Sequence, residues 1–144
     1  MRALLDVNVL IALLDASHAF HARAHDWWSA HARSGWASCP LTENGAVRIM
    51  SNPAYSKVRR FPPAGIIAAL AQFARATDHQ FWPDSVSLRD PALFESDRIH
   101  GHRQLTDLYL LALATFHGGC LATFDASIPM SAVKTAEPAN LLVL

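Results

Sequence analysis

The chain has 144 residues, 51% of them hydrophobic and 17% charged, with twelve basic side chains against twelve acidic ones. So apolar and so weakly charged a composition excludes intrinsic disorder, and the length suits one domain spanning residues 1–144. A formal charge of zero removes global basicity as an argument for nucleic-acid binding, so any such reading has to rest on local charge.

In chain order, Arg2 to Leu5 reads as a short buried strand that ends at the polar pair Asp6 and Asn8, with Val7 to Leu14 continuing as a helix. The stretch Arg2 to Leu14 is not a signal peptide, because Asp6 and Asn8 break its apolar core and no small-x-small cleavage site follows. His18 to Arg33 is helical by composition, and Gly35 stops it. Trp36 to Ser38 is a short strand, and Pro40 stands in the first turn of a helix from Leu41 to Met50. That helix ends at Ser51-Asn52-Pro53. Pro63 opens another helix, with Ile66, Ile67, Leu70, Phe73 and Ala74 at the spacing of a buried stripe. His79 to Trp82 is a strand, and Asp84 to His102 is irregular with one short helical turn. Leu105 to Phe116 is a strongly apolar helix closed by Gly118-Gly119, followed by strands at Cys120 to Thr123 and Leu141 to Leu144.

Helices alternating with short apolar strands define an α/β fold with a mostly parallel, buried sheet. No apolar run approaches the ~18 residues of a membrane span, and Cys39 and Cys120 match no metal-ligand spacing. The expectation is a soluble cytoplasmic protein with two reduced, buried thiols.

Three acids stand in apolar surroundings where an ionised carboxylate is costly: Asp6 within Ala-Leu-Leu-Asp-Val, Asp107 before Leu-Tyr-Leu-Leu-Ala-Leu-Ala, and Asp125 after Cys-Leu-Ala-Thr-Phe. Glu43, one turn into its helix, is a fourth. Taken singly, Asp107 and Glu43 suit helix starts and Asp125 suits a turn. In a parallel sheet, however, strand C-termini and the helix N-termini that follow them share one edge, where ligand sites lie. Four acids there repel one another unless a cation intervenes, and oxygen-only ligands select Mg²⁺ or Mn²⁺, hence phosphate-ester chemistry.

Between Glu43 and Asp78 the chain has no acid but carries Arg48, Lys57, Arg59, Arg60 and Arg75. A second basic cluster, Arg98 to Arg103, runs into Asp107. Arg48 and Arg103 are therefore candidate phosphate contacts. His18, His21 and His25 fall at helical spacing, but no acid or cysteine completes a ligand set, so they read as a packing or solvent-facing row.

Leu5-Asp6-Val7-Asn8-Val9-Leu10-Ile11-Ala12-Leu13, Glu43-x-Gly45-x-Val47-Arg48, Asn52-Pro53, Gly101 to Asp107 and Thr123-Phe124-Asp125 together resemble the PIN-domain ribonucleases, specifically the VapC toxins of bacterial toxin–antitoxin pairs. The resemblance implies a three-layer α/β/α sandwich that hydrolyses RNA with Mg²⁺ or Mn²⁺. It places Asp6, Glu43, Asp107 and Asp125 at the catalytic positions, and Asp6, Asp107 and Asp125 as metal ligands with the first two foremost. Asn8 and Thr123 would support the site through hydrogen bonds. It also implies a homodimer and a cognate VapB-like antitoxin. Ala126 departs from relatives that carry a basic residue after the last aspartate. Two other readings stay open: an aspartate-nucleophile phosphatase of the haloacid dehalogenase type, which normally needs an acid where this chain has Asn8, and a PIN-like binding module without catalysis.

Overall fold

A computed structural model describes residues 1–144. Five short strands form the sheet: β1 (Ala3–Leu5), β2 (Trp36–Ser38), β3 (His79–Phe81), β4 (Cys120–Thr123) and β5 (Leu141–Val143). They lie in the order β3-β2-β1-β4-β5, and every neighbouring pair is parallel. β1 is thus central, with the chain building outward on one side through β2 and β3 and then crossing to the other side for β4 and β5. The gap between β1 and β4 is the topological switch point, where the C-terminal ends of the strands leave a crevice.

Side-chain alternation divides the sheet into two buried faces. Ala3, Leu5, Trp36, Cys120 and Ala122 point to one face, against α1 (Val7–Leu14), α3 (Pro40–Ser51) and α4 (Pro63–Ala76). Leu4, Ala37 and Leu121 point to the other, against α5 (Leu105–Phe116). α2 (His21–His31) adds Trp27 and Trp28 to the first face. The result is the three-layer α/β/α sandwich expected from the sequence. The apolar surplus of the composition is explained by this arrangement, since a parallel sheet has to be covered on both sides. α5 takes the largest share: Leu108, Leu110, Leu111 and Leu113 are all fully buried. Its exposed flanks are closed by the segments around Phe94 and Val133, which meet in an isolated antiparallel bridge. The helix ends as expected, with Gly118 just past it at φ +69°.

Two expectations need correction. The second helix begins at His21, not His18, because Asp15 organises the preceding residues into a turn. Its carboxylate accepts from the Ser17 amide at 2.9 Å and from the Tyr55 hydroxyl at 2.6 Å, and its carbonyl accepts from His18. In α4, Ile66 and Leu70 are buried but Ile67 is 54% exposed, and Phe73 and Ala74 are only partly covered. α4 leans on α3 and β3, and so hides a narrower stripe than its sequence allows.

Cys39 and Cys120 are free and buried. No helix is long and apolar enough to cross a membrane.

Candidate active site

Asp6 follows β1 directly, and its backbone N–H still pairs with Ala122 of β4 at 3.0 Å. The side chain is 8% exposed and caps α1. One carboxylate oxygen accepts from the Val7 amide at 2.7 Å and the other from the Thr123 hydroxyl at 2.9 Å. Thr123 Oγ1 in turn accepts from the Asp125 amide at 3.1 Å. This one hydroxyl therefore ties the end of β4 to the acid at the end of β1 across the switch point.

Asp107 is the third residue of α5, half-buried, and no protein group donates a hydrogen bond to its side chain. Asp125 lies beyond β4, exposed, with one oxygen held by the Ser127 amide at 2.7 Å and the Ser127 hydroxyl at 2.6 Å. It thus fills the turn role its position suggests while also standing at the crevice. Desolvation by burial raises the carboxyl of Asp6, and the charge of Asp125 adds to it against the hydrogen bonds from Thr123 and Val7. Asp107 is pushed up to about 6, first by burial and then by the negative field of Asp6 and Asp125. Asp125 itself moves down, because Ser127 solvates its charge. None of the three forms an ion pair; the structure's only salt bridges join Arg2 to Asp78 and Lys134 to Glu95.

Glu43 hydrogen-bonds to none of the three aspartates. It lies in the first turn of α3, and one of its oxygens accepts from the Ser38 hydroxyl at 2.6 Å, with His79 Nε2 2.7 Å beyond. Sequence reasoning missed Ser38 and His79. The only signal was a polar residue closing an otherwise apolar strand five positions before Glu43, with no indication that β3 would bring a histidine beside it.

α3 is brought close to Asp6 by Gly45. A Cβ there would stand 2.9 Å from Val7 Cγ2, so only glycine lets this helix approach the start of α1 so closely. Gly45→Ala is expected to push α3 outward, lowering stability by ~1–3 kcal/mol and displacing Glu43. Val7→Ala in the same chain should restore both, as read by thermal melts and turnover.

Asn8 is exposed in the first turn of α1 and hydrogen-bonds to none of the acids. Arg48 is exposed and lines a groove with Glu43 and Asn44 between α3 and α4. Arg103 is exposed in the 3-10 turn that leads into α5. Of the other cations, Arg60 is spent on its own loop, donating to the carbonyls of Pro53 and Ser56. In the histidine row, His18 accepts from the Phe20 amide and His21 contacts the Ala12 carbonyl, so both rings serve local structure.

Asp6, Asp107 and Asp125 suit a hard divalent cation: oxygen donors only, mutual repulsion, and no basic side chain to relieve it. As placed, no three acidic, histidine or cysteine groups close around one point. The same repulsion makes a prediction about the metal-free protein. An acid whose folded pKa is raised weakens the fold above that pKa, and the penalty shrinks as pH falls from the folded value towards the unfolded one. Between pH 7 and pH 4.5, wild-type stability should therefore gain on Asp107→Asn, the gain setting in as pH falls through about 6. The gain, discounted for solvent at a half-buried group, is on the order of 1–2 kcal/mol. His79 and His117, both lowered by burial, pull the other way in wild type and variant alike, which is why the difference is the quantity to measure.

The fold and this site define a class: an all-parallel α/β/α protein with mutually repelling carboxylates beside its switch point. The PIN domain family model matches residues 3–133, and the chain belongs to that family. It is 46% identical over 147 aligned residues to Ribonuclease VapC44 of Mycobacterium tuberculosis, covering the whole of both chains. Ribonuclease VapC39 of the same organism is 46% identical, over 92% of this chain and 94% of its own. Ribonuclease VapC38 is 42% identical over 99% of both. Among solved structures, the crystal structure of VapBC2 from Rickettsia felis, bound to a DNA fragment from its promoter, superposes with a TM-score of 0.55. At 14% identity, over 100% of this chain and 98% of that one, this likeness shows the shared fold.

Proposed function

We infer that this protein is an endoribonuclease of the VapC type, the toxin of a toxin–antitoxin pair, using Mg²⁺ with Mn²⁺ as a workable substitute. The observation that carries the reading is the likeness of the whole chain to proteins named ribonucleases, with the PIN family model matching residues 3–133; the mutual repulsion of Asp6, Asp107 and Asp125, which have no basic partner, supports it. Residues 1–144 act as one nuclease unit in the cytoplasm, as a homodimer, and a VapB-like antitoxin covers the crevice until it is removed.

Asp6 and Asp107 would hold the cation, with Asp125 at the rim contacting it directly or through water. Of the roughly four lone-pair sites on the Asp6 carboxylate, Val7 and Thr123 occupy two and leave the others for the ion. When bound, the cation lowers the pKa of water and stabilises the charge that builds on the phosphate oxygens. Glu43 takes the proton of the attacking water at its carboxylate. Thr123 keeps the Asp6 carboxylate from turning, and Arg48 and Arg103 grip phosphates on either side of the scissile one.

With water as the nucleophile, the products carry 5′-phosphate and 3′-hydroxyl ends. The test is to incubate purified protein with structured RNA, with Mg²⁺ or with a chelator, and to map the new ends. Products ending in 2′,3′-cyclic phosphate would overturn the mechanism. Tight RNA binding without any cutting in Mg²⁺ or Mn²⁺ would favour the binding-module reading.

A further inference from the structure

The chain of contacts from His79 through Ser38 to Glu43 lies outside the aspartate cluster, and the reaction as described does not use it. Ser38 ends β2 and is completely buried. Its hydroxyl lies 2.6 Å from Glu43 Oε1 and 2.7 Å from His79 Nε2. The direction of both bonds follows from proton counting. A carboxylate has only lone pairs to offer, so the single hydroxyl proton goes to Glu43. The contact with His79 then requires the imidazole to donate, which fixes the Nε2–H tautomer. This is the reverse of an acyl-transfer dyad, in which the imidazole accepts the serine proton. Since the hydroxyl is also out of reach of any substrate, Ser38 is not a nucleophile.

The His79 ring is itself held in place. It opens β3 opposite Trp36, and the two ring centroids are 4.3 Å apart. Trp36 is anchored in turn by donating to the Thr77 hydroxyl at 2.8 Å and by stacking on Phe73. Burial favours the neutral imidazole; Glu43 opposes this, and Arg2, itself paired with Asp78, supports it. A neutral Nε2–H tautomer still has the proton the link requires.

We propose that Ser38 and His79 are positioning residues for Glu43: the histidine donates through the serine to one carboxylate oxygen and leaves the other to receive the proton of the attacking water. The inference rests on the nuclease reading, in which Glu43 serves the water. Its physical basis is that a free glutamate side chain samples several rotamers, whereas a general base has to stand within hydrogen-bond reach of its proton. Fixing one oxygen removes that freedom before substrate arrives.

Ser38→Ala and His79→Ala are expected to lower kcat by roughly tenfold to a hundredfold with little change in KM, the scale set by small misplacements of a reacting group. His79→Gln keeps an N–H at comparable reach and should recover most of the loss. In a Glu43→Gln background, His79→Ala should cost nothing further, whereas a fastener that merely stabilises the fold would cost the same in either background. Ring ¹⁵N shifts of His79 should report the Nε2–H tautomer in the wild-type protein and lose that preference in Ser38→Ala, a reading independent of turnover. Unchanged kcat in folded Ser38→Ala and His79→Ala, beside an impaired Glu43→Gln, would overturn the inference alone; so would an unprotonated Nε2. Failure of the wild-type protein to cut RNA would instead strike the nuclease reading, and the nitrogen spectrum would still decide whether His79 holds Glu43 through Ser38.

Discussion

Asp6→Asn is expected to abolish RNA cleavage while the protein stays folded. Asparagine has the same shape and can still accept from the Val7 amide or the Thr123 hydroxyl, so the junction of β1, β4 and α1 keeps its geometry. What disappears is a full negative charge in a site that burial and two other carboxylates already strain. In the metal-free protein the substitution should be neutral or slightly stabilising, because a repulsive charge has gone. In activity it should cost at least 10²–10³-fold, the scale of losing one preorganised electrostatic contact at the reacting phosphate. A second readout is thermal. Divalent cation should raise the melting temperature of wild type at pH 7.5, since a ligand bound only by the folded state stabilises it, and should leave Asp6→Asn unmoved. Undiminished cleavage by folded Asp6→Asn, or an equal thermal shift in both proteins, would remove Asp6 from the metal site.

The largest loss of stability is expected from Trp36→Ala, at ~3–5 kcal/mol, a large share of the ~5–15 kcal/mol that holds a domain together. Trp36 is fully buried, stacks on Phe73, meets Trp28 edge-on at 6.5 Å and lies against His79. Removing the indole leaves a cavity bounded by α2, α4 and β3, and strips the Thr77 hydroxyl of its donor. Chemical denaturation gives the number, and a loss below ~1 kcal/mol would show that the site collapses freely. Because the same ring supports His79, the milder Trp36→Phe should reduce kcat more than its effect on stability alone explains.

Much of the fold was legible in the sequence because local rules sufficed. The five strands, the Pro40 helix start and the Gly118 stop all follow from periodicity and backbone preference, and the structure keeps them. The helix placed at His18 begins at His21, after a turn built on Asp15, whose carboxylate also accepts from Tyr55 forty positions away, a contact no local rule sees. Ile67 matched the stripe of α4 and yet lies exposed, since spacing shows which residues are available for burial but not how many neighbours arrive to bury them.

The site divides along the same line. Asp6, Asp107 and Asp125 stood out because carboxylates in apolar runs are costly and therefore conspicuous. The sequence by itself thus determined the α/β class and marked these acids as candidates for one edge of the sheet, both consequences of strand polarity and of where charge is expensive. Only the tertiary structure decided the partners. It gave Thr123 to Asp6, left Asp107 without a donor, left Asn8 facing solvent, and turned one oxygen of Glu43 toward Ser38 and His79. The reason is physical: a hydrogen bond depends on tenths of an ångström between chain segments whose meeting is set by the packing of whole layers. That information is spread over every buried side chain rather than carried by the residues that bond.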